Sequence, residues 1–298
     1  MSASGTLYLI DGSLYVFRAW HSIPPQFHDH EGAPVNAVYG FTRFLCDFLE
    51  KTKPTHAVVA FDESLTSSFR NTIYPDYKAN REMPPDELRR QFAYCKEIAA
   101  ALGLCVLAHE HYEADDLIGS AVVGMRKHGF RSVVVSADKD FAQLIEINDE
   151  QWDFPRDVRW NTDGVKQRLG VRPDQVVDFL ALTGDAIDNI PGVPGIGAKT
   201  AATLLAHFGS LDELLKRVEE VPYLRMRSAG QTYLRLKEHR EQALLSRMLS
   251  AIALDAPVPP HADGMTWLPP DLAAIEVLME KLRFGPLTRS RMRGFVHA

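Results

Sequence analysis

The chain has 298 residues, 46% hydrophobic and 24% charged, with a net charge of −6, the profile of an ordinary globular protein of one large or two modest domains. No apolar run approaches the roughly 18–20 residues a bilayer crossing needs, and Met1-Ser-Ala-Ser-Gly5 lacks the basic start of a signal peptide. Cys46, Cys95 and Cys105 are an odd set without CxxC spacing, which argues against a disulfide framework or zinc ribbon and points to a reducing compartment, the cytoplasm.

In chain order, Thr6–Ile10, His56–Phe61, Leu104–Leu107 and Arg131–Ser136 are short β-rich runs. Helical patterns at Val35–Lys51, Asp86–Leu102 and Ala114–Lys127 separate them. This alternation predicts an α/β fold, a mostly parallel sheet with helices on both faces. From about Asn161 only helices follow: Asp163–Leu169, Pro173–Thr183, Lys199–His207, Leu211–Glu219, Tyr233–Leu249 and Asp271–Leu282. The expected division is a core at 1–160 and a C-terminal helical region at 161–298.

Ser64–Pro85 interrupts this pattern. A connection that long is usually functional or disordered. Its Phe69, Arg70, Tyr74, Tyr77, Lys78 and Arg81 would suit a nucleic-acid strand, which needs stacking faces and phosphate partners. Composition alone favours the alternative, a solvated loop anchored by its aromatics.

The strongest signal is carboxylate placement. Three predicted strands run into Asp11, Asp62 and, one residue beyond the apolar run, Asp138, and ligands of doubly wound sheets bind outside the strands' carboxyl ends. Glu113, Asp115 and Asp116 open a helix after the third strand, Asp140 follows Asp138, and Asp185 and Asp188 stand three apart. Any one acid could be a helix cap. Nine converging acids would repel one another without counter-cations, and they exceed the chain's whole negative excess of six. An oxygen-only set selects Mg²⁺, with Mn²⁺ as substitute, over zinc. Two such ions suit phosphodiester hydrolysis.

Pro191–Ala201 turns on Gly192, Gly195 and Gly197 before a helix carrying Lys199. Its spacing is wrong for a P-loop, and it reads as a helix-hairpin-helix grip on a DNA backbone, blind to sequence.

Nine blocks in order make the chain resemble the 5′-nuclease (flap endonuclease/5′–3′ exonuclease) family: Leu9-Ile-Asp-Gly-Ser13, Val38-Tyr-Gly-Phe41, Ala60-Phe-Asp62, Ser68-Phe-Arg70, Tyr77-Lys-Ala-Asn-Arg81, Tyr112-Glu-Ala-Asp-Asp116, Ala137-Asp-Lys-Asp140, Leu182-Thr-Gly-Asp185 and Asp188–Gly197. The resemblance implies one metal cluster at Asp11, Asp62, Glu113, Asp115 and Asp116, and a second at Asp138, Asp140, Asp185 and Asp188. It implies a helical arch at about 64–85, with Arg70, Lys78 and Arg81 on phosphates and Tyr77 as a stacking platform. Lys78 and Arg81 would stabilise the transition state. The glycine hairpin would hold downstream duplex, and some members bind K⁺ there. The expected substrate is DNA with a 5′ flap, overhang or nick, with RNA-primer hybrids also in view, cut by a monomer. The chain ends at Ala298 with no polymerase segment, so the expectation is a stand-alone nuclease. A non-catalytic DNA-binding module and a metal-dependent ribonuclease are the alternatives.

Overall fold

A computed structural model describes residues 5–63 and 68–295. Strands β1 (Gly5–Asp11), β2 (His56–Asp62), β3 (Cys105–His109), β4 (Phe130–Val135), β5 (Glu150–Asp153) and β6 (Val158–Trp160) form one sheet in the order β3-β2-β1-β4-β5-β6. Every pairing is parallel except β5 with β6.

Alternation along β1 sends its side chains to opposite faces, so one strand serves two cores. Leu7 and Leu9 meet α5 (Ala114–Arg126) and the C-terminal helices on one face. Ile10 meets α1 (Gly12–Ser22), α2 (Asn36–Thr52) and α4 (Asp86–Ala101) on the other. Helices on both faces leave the strands' carboxyl edge as the exposed rim. Asp11 ends β1, Asp62 ends β2 and Asp138 follows β4 at that rim.

The short α3 (Phe69–Ile73) lies between β2 and α4. After β6 come α6 (Thr162–Leu169), α7 (Val176–Thr183), α8 (Ala198–Phe208), α9 (Leu211–Lys216), α10 (Ala229–Glu238), α11 (Arg240–Ser250), α12 (Leu272–Lys281) and α13 (Pro286–Gly294). Two expectations are corrected. The single helix at Tyr233–Leu249 breaks at His239, whose φ of −108° and ψ of 29° leave the helical region. The helical region expected at 161–298 also divides, because its last described stretch packs elsewhere. Trp267 donates its indole N–H to the Leu102 carbonyl at 2.8 Å, and Ile275, Leu278, Met279, Leu282 and Met292 join the core of β1 and α2. The tail therefore returns to the α/β core. Among the described residues no helix is long and apolar enough to cross a membrane.

Candidate active site

The rim is built from the strand ends outward. Asp11 starts α1 by accepting the Leu14 N–H at 3.0 Å, and its second oxygen accepts the Ser136 hydroxyl at 2.9 Å. The Ser13 hydroxyl accepts the Asp62 N–H at 2.9 Å. Asp62 in turn accepts the Ala114 N–H at 2.9 Å and so ties β2 to the start of α5. Asp138 caps the 3-10 turn at Lys139–Leu144, accepting the Asp140 N–H at 3.0 Å.

Charge repulsion records the convergence. Burial, with Asp62 and Asp138 nearby, raises the Asp11 carboxyl to about 7 against the hydrogen bonds from Leu14 and Ser136. Burial and then Asp138, Asp11 and Asp62 push Asp115 well above the carboxylate range. Burial and Asp138, with Asp185 and Asp188, raise Asp140 to about 8 despite Lys139. Burial also raises Asp188, against Lys78 and Arg81. Acids from five distant segments therefore share one field. Among the described residues no three His, Cys, Asp or Glu side chains enclose an ion-sized space. Cations of the chain are interleaved instead: Lys139 bonds Asp185, and Arg81 bonds Asp188. The cluster still fits a hard cation by its donors, since Asp140 Oδ1 is buried with no hydrogen-bond partner.

Asp116 must be corrected as a metal ligand. It is fully buried and accepts two Arg70 N–H groups at 2.8 and 2.7 Å, the Glu113 N–H at 3.0 Å and the Ala253 N–H at 2.8 Å. Both oxygens are occupied by protein donors. Glu113 accepts three side-chain bonds, from Lys78 at 2.7 Å, Tyr77 at 3.0 Å and Arg70 at 3.3 Å, and keeps acceptor capacity on the Oε1 that meets Lys78. Burial would raise its carboxyl, but Lys78 and Arg70 outweigh that and hold it below the usual range.

The same contacts correct two nucleic-acid assignments. Arg70 and Tyr77 are each 3% exposed, so neither offers a phosphate contact or a stacking face. Of the expected arch, residues 64–67 lie outside the described residues. From Ser68 the chain forms α3 and then turns that dock on the acidic loop. Lys78 N–H meets the Asp188 carbonyl at 3.0 Å, Asn80 meets the Ala186 carbonyl at 2.8 Å, and Asn189 returns a bond to the Asp76 carbonyl at 2.6 Å. Lys78 and Arg81 do stand at the acids.

Gly192 is corrected too. It is buried, its N–H bonds the Ser246 hydroxyl at 3.0 Å, and its carbonyl accepts from Gln242 at 2.8 Å. At φ +62°, a Cβ there would lie 2.3 Å from the Gly184 nitrogen, so this glycine closes the loop that carries Asp185 and Asp188. Gly192→Ala should cost about 2–3 kcal/mol. Gly197→Ala, facing open space at the N-cap of α8, should cost no more than about 1 kcal/mol. Equal melting temperatures for the two variants would refute this assignment. Gly195 accepts from Arg235 at 3.0 Å, and Gly197 and Lys199 are exposed at the start of α8.

Sequence reasoning missed Gln151. Buried on β5, it donates its side-chain amide to the carbonyls of Ser136 (3.1 Å) and Asp138. It thereby holds the turn presenting Asp138 and Asp140. Nothing in the segment Glu150-Gln-Trp-Asp153 marks it beforehand.

Comparison with known proteins follows the same outline. The family model "5′-3′ exonuclease, N-terminal resolvase-like domain" matches residues 6–170, and "5′-3′ exonuclease, C-terminal SAM fold" matches 171–273. DNA polymerase I of Bacillus caldotenax is 37% identical over 93% of this chain, and that of Rhizobium leguminosarum 36% over 97%. The chain spans only 31% and 28% of those two proteins. Among solved structures, T5 5′-exonuclease with divalent metal ions (zinc) bound matches with a TM-score of 0.69 at 16% identity, covering 98% of both chains. The catalytic core of Rad2 with DNA substrate matches at 0.64 and 12%, covering 99% of this chain and 92% of that one. These two likenesses show a shared fold.

Proposed function

The chain belongs to the 5′-3′ exonuclease family, and from that premise we propose that it hydrolyses phosphodiesters of duplex DNA at 5′ ends and 5′ flaps. The observation that carries the reading is the convergence of Asp11, Asp115, Asp138, Asp140, Asp185 and Asp188 from separate segments, with burial and the neighbouring acids raising the carboxyls of Asp11, Asp115, Asp140 and Asp188. That set, with Asp62 and Glu113, would hold two or more Mg²⁺ or Mn²⁺ ions, as T5 5′-exonuclease holds divalent ions. Bound there, such ions supply an ionised water at neutral pH and offset charge on the scissile phosphate.

The chain's own groups do the rest. Lys78 and Arg81 are held at the acids by Glu113 and Asp188. An incoming phosphate can exchange for those carboxylates and receive both cations, which then stabilise the charge that builds in the transition state. Gln151 and Ser136 keep Asp11 and Asp138 in register. Duplex is held at the exposed α8 start by Gly197 N–H and Lys199. A K⁺ ion at the hairpin would compete with Gln242 and Arg235, which already occupy the Gly192 and Gly195 carbonyls.

The test is cleavage of a labelled 5′-flap duplex beside blunt duplex, single strand and an RNA-primed duplex, with Mg²⁺ and with EDTA. Metal-dependent flap release is expected. Flap binding without cleavage under either Mg²⁺ or Mn²⁺ would refute the enzyme and leave a DNA-binding module.

A further inference from the structure

α6 supplies a cation that the proposed nuclease chemistry does not use. Arg168 is exposed, and its guanidinium lies over the Trp160 ring, 4.2 Å from the centroid. One of its N–H groups bonds the Ala137 carbonyl at 3.3 Å. Ala137 immediately precedes Asp138, so this arginine stands at the border of the acid cluster. Most arginines around the site are spent on carboxylates, Arg70 on Asp116 and Arg81 on Asp188. Among the described residues Arg168 has no carboxylate partner, and neither does Lys199.

Arg168 also lies toward the hairpin. A Cβ built on Gly170, two residues on, would sit 3.4 Å from Ala202 of α8. Ala202 is three residues from Lys199, which places both on one side of that helix. The C-terminal end of α6 therefore fills the interval between Asp138 and the exposed start of α8. Stacking on an indole fixes the guanidinium plane while leaving further N–H donors toward solvent. An arginine held this way loses little side-chain entropy on meeting a phosphate.

We propose that Arg168, seated on Trp160 against the Ala137 carbonyl, binds a backbone phosphate of the DNA duplex between the cleavage site and the α8 grip. The proposal rests on the nuclease reading for its ligand. The contact carries no sequence information, as a phosphate contact cannot. It is electrostatic, so it must appear in the salt dependence of binding.

The experiment measures binding of a fluorescent 5′-flap duplex in EDTA across a KCl series, with cleavage in Mg²⁺ run in parallel. Wild type, Arg168→Gln, Trp160→Leu and Arg43→Gln are compared, Arg43 being an exposed arginine on α2. Arg168→Gln should weaken binding about 3- to 10-fold and reduce the log–log salt slope by roughly one. KM should rise with kcat unchanged, because ground state and transition state lose the same contact. Trp160→Leu trims a ring packed against the core and should lower the melting temperature, yet at a temperature where it is fully folded it should show a smaller rise in KM than Arg168→Gln. Unaltered affinity and slope in Arg168→Gln, with wild type binding and cutting normally, would overturn this contact alone. The same loss in Arg43→Gln would reduce it to a general charge effect and overturn it equally. Failure of wild type to bind the flap would instead remove the reading on which it rests.

Discussion

Asp138→Asn should cripple cleavage and make the metal-free protein more stable. Asp138 appears among the charges that raise Asp11, Asp115 and Asp140, so its removal relieves three groups at once. Asparagine keeps a side-chain oxygen for the Asp140 N–H, and the cap is preserved. The sign follows from linkage. An acid whose folded carboxyl is raised favours the fold while protonated and opposes it once ionised. In EDTA the wild type should therefore lose stability as pH rises from about 4 to about 8, the window between the ordinary value of 3.8 and the raised values near 7 and 8. Every tenfold change in a carboxyl's acidity is worth ~1.4 kcal/mol, discounted here because the groups share their protons. A gain of about 1–2 kcal/mol for the variant at pH 8, or ~2–6 °C in melting temperature, is expected. Cleavage should fall by about three orders of magnitude, ~4 kcal/mol of transition-state stabilisation. Flap binding in EDTA should hold or tighten, since one like charge facing the phosphate is gone. A variant that melts no higher than wild type at pH 8 would mean that the acids do not share a field.

What could be read from the chain divides along physical lines. β1, β2 and β4 are apolar runs with buried residues on both faces, and their carboxyl ends located Asp11, Asp62 and Asp138 without any structure. β5 and β6 escape because Glu150-Gln-Trp-Asp153 and Val158-Arg-Trp160 are short and half polar. Their stability comes from the neighbours, including Arg159 over the Trp152 ring at 3.9 Å. α1 escapes because Leu14-Tyr-Val-Phe17 is rich in β-formers, and its start depends on the Asp11 cap. α13 escapes because Arg289, Arg291 and Arg293 make its segment polar, yet Thr288 and Met292 are buried against the core. The acid cluster was legible as a set, because residue type and strand-end position are sequence properties. Which acids are sealed off by arginine was not, since the partners Arg70 and Asp116 are 46 residues apart.

That sealed pair sets the largest stability effect expected. Arg70→Met should lower stability by about 3–5 kcal/mol, the usual cost of leaving buried charge unpaired. Arg70 bonds Asp116 twice and Glu113 once, and it also donates to the Leu249 and Ala251 carbonyls at 2.9 and 2.7 Å. One side chain thus joins α3 and α5 to the end of α11, between the sheet and the helical region. Methionine fills much of the volume but satisfies none of these acceptors. For a chain of this size the loss corresponds to roughly 10 °C in melting temperature. Its pH dependence separates charge from packing. Glu113 is held below the ordinary carboxylate range by Lys78 and Arg70 against burial, so it contributes stability above its unfolded value that is lost as pH falls through the folded one. The deficit of Arg70→Met should be widest near neutral pH and should narrow below about pH 4.5, where the unfolded carboxyl protonates. Arg70→Lys should recover only part of it, because one ammonium cannot span the two oxygens of Asp116 that the guanidinium fork engages. A deficit that stays constant from neutral to acid pH would show that Arg70 acts through packing alone. The ion-pair account of how α3 and α5 are fastened to α11 would then fail.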